Sequence, residues 1–184
     1  MGQHLAYSAK ELHKLAVARC DIVEARLACE RMGQTVTGID DPMYYPLFVM
    51  TVVCYARPFT NNSLLGRLGK KWTRFPDAPL QKMHRTLVKA RNTLIAHSDG
   101  EVRKVQIVPK GYRVPGTDKV SQDHTCLVRK LFFPLENFPL AKRLCQFQIG
   151  RMNPQIQELL GEVVPHLNLT EGPTEMDFQD FMGQ

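Results

Sequence analysis

The chain has 184 residues, with 24 Lys and Arg against 18 Asp and Glu, a net charge of +6, and 43% hydrophobic residues. That length suits one domain with a core of its own, and no apolar run approaches the ~18 residues a membrane span needs. Five cysteines with no close pair give neither a disulfide framework nor the ligand spacing of zinc, so no metal and no cofactor is expected. The opening segment, MGQHLAYSAKELHK, lacks an apolar signal core, which predicts a cytoplasmic protein.

From Ser8 to about Met32, Leu12, Leu15, Ala16, Ile22, Val23 and Leu27 recur at helical spacing. Ser8 with Glu11 reads as a capping box and Gly33 as the stop. Asp41-Pro42 opens a second helix through the stretch YYPLFVMTVVCY, apolar on every side and therefore surrounded, and Arg57-Pro58 ends it. Asp77-Ala78-Pro79 starts a third helix with the stripe Leu80, Met83, Leu87, Leu94 and Ile95, and Gly100 closes it. Val102 to Val108 and Leu127 to Phe133 carry strand patterns, with Gly111, Pro115 and Gly116 between them. Leu135 to Leu167 resumes a helical period, with interruptions expected near Pro139 and Pro154. The expected architecture is a mainly α bundle: a helical domain over residues 1–169, a small β insert at about 101–133, and an acidic, flexible tail at 170–184. Cys20, Cys54 and Cys145 sit among apolar residues and are expected in the core as reduced thiols.

The charge is unevenly placed. The tail holds Glu171, Glu175, Asp177 and Asp180 and no basic residue, so the remainder carries 24 basic against 14 acidic residues, or +10. Between residues 57 and 91, Arg57, Arg67, Lys70, Lys71, Arg74, Lys82, Arg85, Lys89 and Arg91 stand against Asp77 alone. Such a stretch is either a solvated face or the docking surface of a polyanion. Trp72 and Phe75 interleave with Lys71 and Arg74, which suits base stacking and equally suits anchoring of the loop. As contacts to RNA we take Arg67, Lys70, Lys71, Arg74, Arg85 and Lys89. No phosphate-binding GxxxxGK[ST] or GxGxxG element is present.

Leu80, His84, Leu87, Arg91 and Leu94 follow at spacings of four, three, four and three, which places Arg91 in line with the apolar stripe. A guanidinium keeps its charge, so there it needs a carboxylate, a carbonyl, an interface cleft or a bound anion. His97 lies six residues on, ~120° around the helix. His84 shares the Arg91 face and reads as a core histidine or a second cleft residue. Asp21, Glu24 and Glu30 are alternative, purely structural partners for Arg91.

Arg91, Asn92 and His97, flanked by Ala96, Ser98 and Asp99, resemble the signature of the HEPN superfamily, an Arg and a polar residue, then four further residues, then His; the flanks resemble its abortive-infection branch. The resemblance implies a helical bundle that forms a homodimer with two motifs facing each other. It implies a metal-independent endoribonuclease, in which the RNA 2′-hydroxyl is the nucleophile. His97 would move the proton, Arg91 would hold the scissile phosphate, and Asn92 would orient it; Asp99 would orient His97 or cap the turn. The family also holds members that keep the fold without cutting RNA, so a non-catalytic RNA-binding or protein-interaction module is the second reading. The resemblance further implies a role in antiviral defence or a toxin–antitoxin system, with an antitoxin or regulatory protein as partner.

Overall fold

Rich in Ala, Leu, Arg and Glu and free of proline, the first segment forms one long helix, α1 (Gly2–Thr35). The buried side of α1 runs through Ala9, Leu12, Leu15, Ala18, Ile22, Ala25, Ala28, Cys29 and Met32. Its steps of three and four residues keep one side of the helix inward. Two helices cover it, α2 (Tyr44–Ala56) and α4 (Phe138–Val163). The alanines allow close approach of neighbouring backbones, and Leu15 and Ile22 are fully buried.

Residues 2–61, 65–96, 105–113, 118–128 and 133–167 of this computed structural model are described. They fall into two compact units, Met1–Val88 with Pro134–Gln184, and Lys89–Phe133. The expected fold class holds: the chain is mainly helical, with a small pair of strands between the third and last helices. Among the described residues no helix is long and apolar enough to cross a membrane.

In the first unit, α2 buries Tyr44, Leu47, Phe48, Thr51, Val52 and Tyr55 and leaves Tyr45, Val49, Met50 and Val53 half-exposed. Thr51 is tolerated there because its hydroxyl donates to the Leu47 carbonyl at 2.9 Å. Phe138 of α4 meets Tyr44 edge-on, with centroids 6.5 Å apart. A single turn, η1 (Arg57–Phe59), follows α2, and Arg57 reaches back to Asp21 at 2.6 Å. Helix α3 (Ala78–Ala96) starts as its sequence predicts: Asp77 Oδ1 accepts from the Leu80 amide at 2.8 Å, with Pro79 in the first turn. Leu80, Met83 and Leu87 are buried on it.

The second unit contains β1 (Val105–Val108) and β2 (Thr125–Val128), antiparallel, with Val105 opposite Val128 and Val108 opposite Thr125. An isolated bridge joins Arg113 to Val120, and Gly111 turns the chain beside it at φ +83°, a conformation glycine adopts without strain.

Several local expectations are corrected. α1 begins upstream of Ser8, so Ser8 is interior rather than a cap; its hydroxyl donates to Glu162 Oε2 of α4 at 2.5 Å. Gly33 lies inside the last turn, because nothing crowds it and the helix hydrogen bonds continue to Thr35. Ala16, Cys20 and Leu27 are exposed, while Cys29, not Cys20, enters the core. Asp41 caps the turn ahead of α2 by accepting from the Met43 amide at 2.8 Å, and Pro42 stays outside the helix. Pro139 sits in the first turn of α4 rather than interrupting it, and Pro154 lies within an unbroken helix. Both Pro154 and Gly150, whose carbonyl loses its intrahelical donor, face solvent, where water can take the donor's place.

Candidate nucleic-acid interface

Where it is described, the basic stretch between α2 and α3 turns Leu68 and Trp72 inward and its cations outward. Leu68 and Trp72 are buried, and the Leu68 amide donates to the Pro58 carbonyl at 2.8 Å. One turn of 3-10 helix, η2 (Lys70–Thr73), presents Lys70 and Lys71 outward while Trp72 turns inward. Arg67, Lys70, Lys71, Arg74 and Arg85 are all exposed.

Helix α4 fastens this loop. Gln148, itself buried, donates from Nε2 to the Trp72 carbonyl at 2.7 Å. The Arg151 guanidinium donates to the carbonyls of Arg74, at 3.1 Å, and Lys71, at 2.5 Å. Its Cζ stands 5.1 Å from the Trp72 ring centroid and 5.4 Å from that of Phe147. Lys71 Nζ lies 5.3 Å from the same Trp72 centroid and donates to Gln155 Oε1 at 3.2 Å. Arg151 escaped the sequence reading, although Phe147, Gln148 and Arg151 share one side of α4 at spacings of three and four.

Trp72 therefore anchors the loop and offers no open face for a base. Phe75 is half-buried against His84 and Phe147 at centroid distances of 5.1 and 5.8 Å. The stretch's single acid, Asp77, is engaged twice, as the α3 cap and in an ion pair with Arg143 at 3.0 Å. None of Arg67, Lys70, Lys71, Arg74 and Arg85 is ion-paired among the described residues. The result is a surface of uncompensated positive charge on a backbone held by hydrogen bonds.

His84 is a core residue. Its Nδ1 lies 2.9 Å from the Tyr55 hydroxyl, and Tyr55, Phe59 and Phe75 enclose the ring. Burial, with a smaller push from Arg85, lowers its pKa to about 4, so it is neutral at pH 7 and no proton donor there.

In the second unit, Lys89 and Asn92 are exposed and Arg91 is half-buried. Arg91 donates from Nη1 to Asn92 Oδ1 at 3.4 Å, a long bond at the weak end of the range. Of the three carboxylates that the sequence offered as structural partners, Asp21 is engaged with Arg57 and Glu30 with Arg26 and Lys142. His97, Ser98 and Asp99 lie outside the described residues, as does the acidic tail from residue 168 onward. Among the described residues no group of three His, Cys, Asp or Glu is placed to hold a metal ion.

Comparison with known proteins adds no relative: no family model, no curated protein and no solved structure matches this chain.

Proposed function

We propose that this protein binds RNA and cuts it as a metal-independent endoribonuclease of HEPN type. The observation that carries the reading is the set of exposed, unpaired cations on the clamped loop, Arg67, Lys70, Lys71 and Arg74, with Arg85 on α3. A fixed array of this kind receives a phosphate backbone without first rearranging. The half-buried Arg91 beside Asn92 supplies the second support, since its guanidinium is held by a weak neutral bond that a phosphate can replace.

In this mechanism His97 takes the proton of the RNA 2′-hydroxyl as that oxygen attacks the adjacent phosphorus. Arg91 stabilises the negative charge that builds on the phosphate oxygens, and Asn92 orients the group. The 5′-oxygen leaves with a proton, and the products are a 2′,3′-cyclic phosphate and a free 5′-hydroxyl. Two copies across a twofold axis would bring two Arg91 and two His97 to one cleft, which makes a homodimer the working form. We place it in the cytoplasm, in a defence or toxin–antitoxin setting, restrained by an antitoxin or regulatory protein.

The deciding experiment is incubation of the purified protein with labelled single-stranded RNA, with and without EDTA, beside His97→Ala. Cleavage that persists in EDTA, ends in a cyclic phosphate and falls in the folded mutant supports the reading. Complete loss in EDTA overturns the mechanism. A second reading, RNA binding without turnover, is favoured by the neutral, enclosed state of His84 beside the basic loop. It predicts salt-sensitive binding, no products and no effect of His97→Ala.

A further inference from the structure

The basic loop carries charge that no carboxylate among the described residues answers. Arg67, Lys70, Lys71 and Arg74 are exposed and outside every ion pair, and the one acid of the stretch, Asp77, is committed to Arg143. The end of the chain has the opposite composition. Glu171, Glu175, Asp177 and Asp180 stand there without a single Lys or Arg. Cations crowded on one short stretch repel one another, and acids brought among them remove that cost.

Reach favours an encounter within one chain. The loop is tied to the C-terminal half of α4: Lys71 Nζ donates to Gln155 Oε1 at 3.2 Å, and Arg151 holds the carbonyls of Lys71 and Arg74. From Gln155, α4 runs on to Val163, and one further turn, Val164–His166, leads to Leu167. Leu167 is twelve residues beyond Gln155, within ~24 Å at helical rise. Fully extended, the eight residues from Leu167 to Glu175 span up to ~26 Å and the ten to Asp177 up to ~33 Å. Glu175 and every acid after it can therefore return to Lys71. A segment tethered at this range meets the loop at an effective concentration on the order of millimolar, so contacts too weak to join two molecules suffice.

We propose that residues 171–184 dock on the basic loop of their own chain, with Glu175 and Asp177 against Lys70, Lys71 and Arg74. The loop then has two competing anions, and RNA must displace the chain's own end before it binds. The docking stands on charge and reach; the competition rests on the RNA-binding reading above.

A water-soluble carbodiimide joins an ammonium to a carboxylate only where the two touch, and it tests the docking in the full-length protein. Lys142 and Glu30, 3.1 Å apart, are the internal standard, read as LACER (residues 27–31) joined to residues 131–143. Expected beside it is the tryptic peptide 152–184 joined to LGKK (residues 68–71) or KWTR (residues 71–74). Fragment ions should place the link at or beyond Glu171. A link at Glu158 does not count, because Gln155 bonds both that carboxylate and Lys71. In an equal mixture of unlabelled and nitrogen-15-labelled protein, each linked product should carry one isotope only. Excess oligouridylate should abolish the link to the tail and leave the standard unchanged. Absence of the tail link while Lys142 and Glu30 are joined would overturn the proposal, and so would links found only between isotopes. A tail link that survives bound oligouridylate overturns the competition. If oligouridylate does not bind at all, the RNA reading fails, while the docking still stands or falls on its own link.

Discussion

The guanidinium carbon of Arg151 stands 5.1 Å from the Trp72 ring centroid while its nitrogens donate to the carbonyls of Lys71 and Arg74. One side chain of α4 thus fixes both the buried and the backbone parts of the basic loop. Arg151→Ala is expected to lower stability by ~1–2 kcal/mol through two lost hydrogen bonds and the ring contact, read as a urea midpoint. RNA affinity should fall as well, although Arg151 itself need not touch RNA. Arg151→Lys should recover little, since an ammonium cannot reproduce the planar fork.

The cations on that loop should act through the phosphate backbone. For single-stranded RNA each phosphate contact contributes ~0.7 to the slope of log K against log salt, so Lys70→Ala with Arg74→Ala should reduce the slope by ~1.4. Filter binding at several salt concentrations measures it. An unchanged slope would remove both residues from the interface.

For catalysis, Arg91→Ala and His97→Ala are each expected to lower the cleavage rate by ~10² or more, with the far-ultraviolet dichroism unchanged. Arg91→Lys should be nearly as damaging if the phosphate is held at two points. Wild-type rates in either folded variant would take that residue out of the reaction.

His84 makes stability fall in mild acid. Its pKa is near 6.5 when unfolded and about 4 when folded, so between those values the unfolded chain binds the extra proton. Its contribution is full above pH 6.5 and is lost as pH falls towards 4, by up to roughly 3 kcal/mol. Asp21 works the other way, because burial outweighs Arg57 and raises its pKa; its contribution is present in acid and fades as pH rises through the raised value. Comparing urea midpoints of wild type and His84→Gln at pH 4.5 and 7 isolates the histidine. A wild-type loss of stability no steeper than the variant's would contradict this account.

What the sequence conveyed depended on how local the cause was. Asp77 and Pro79 act on the turn beside them, and α3 starts where they say. The start of α1 had no such marker: Ser8 is held by Glu162, 154 residues away, and its apparent capping box with Glu11 is coincidental. Pro154 carried a real signal, a lost backbone bond, but its solvent-facing position removes the need for a break. The buried side of α1 was blurred because Ala9, Ala18, Ala25 and Ala28 carry little hydrophobic contrast, which let Cys20 pass for a core residue. At the candidate site the basic stretch was plain in the residues, whereas its clamp was not. Gln148 and Arg151 bind carbonyls 76 to 80 positions upstream, and no periodicity reports a contact of that range.

The packing of α4 against α1 also dictates an order of assembly during synthesis. Thr35, the end of α1, and Phe138, the start of α4, are 103 positions apart, with the whole Lys89–Phe133 unit between them. At ~5–20 residues per second a ribosome needs ~5–20 s to cover that distance. During that interval, of the two helices that cover α1, α2 alone is made, and the strip that α4 later covers is wet. A nascent chain in this condition is a natural client for chaperones. Its folding is paced by a late, long-range closure rather than by the rapid winding of its individual helices.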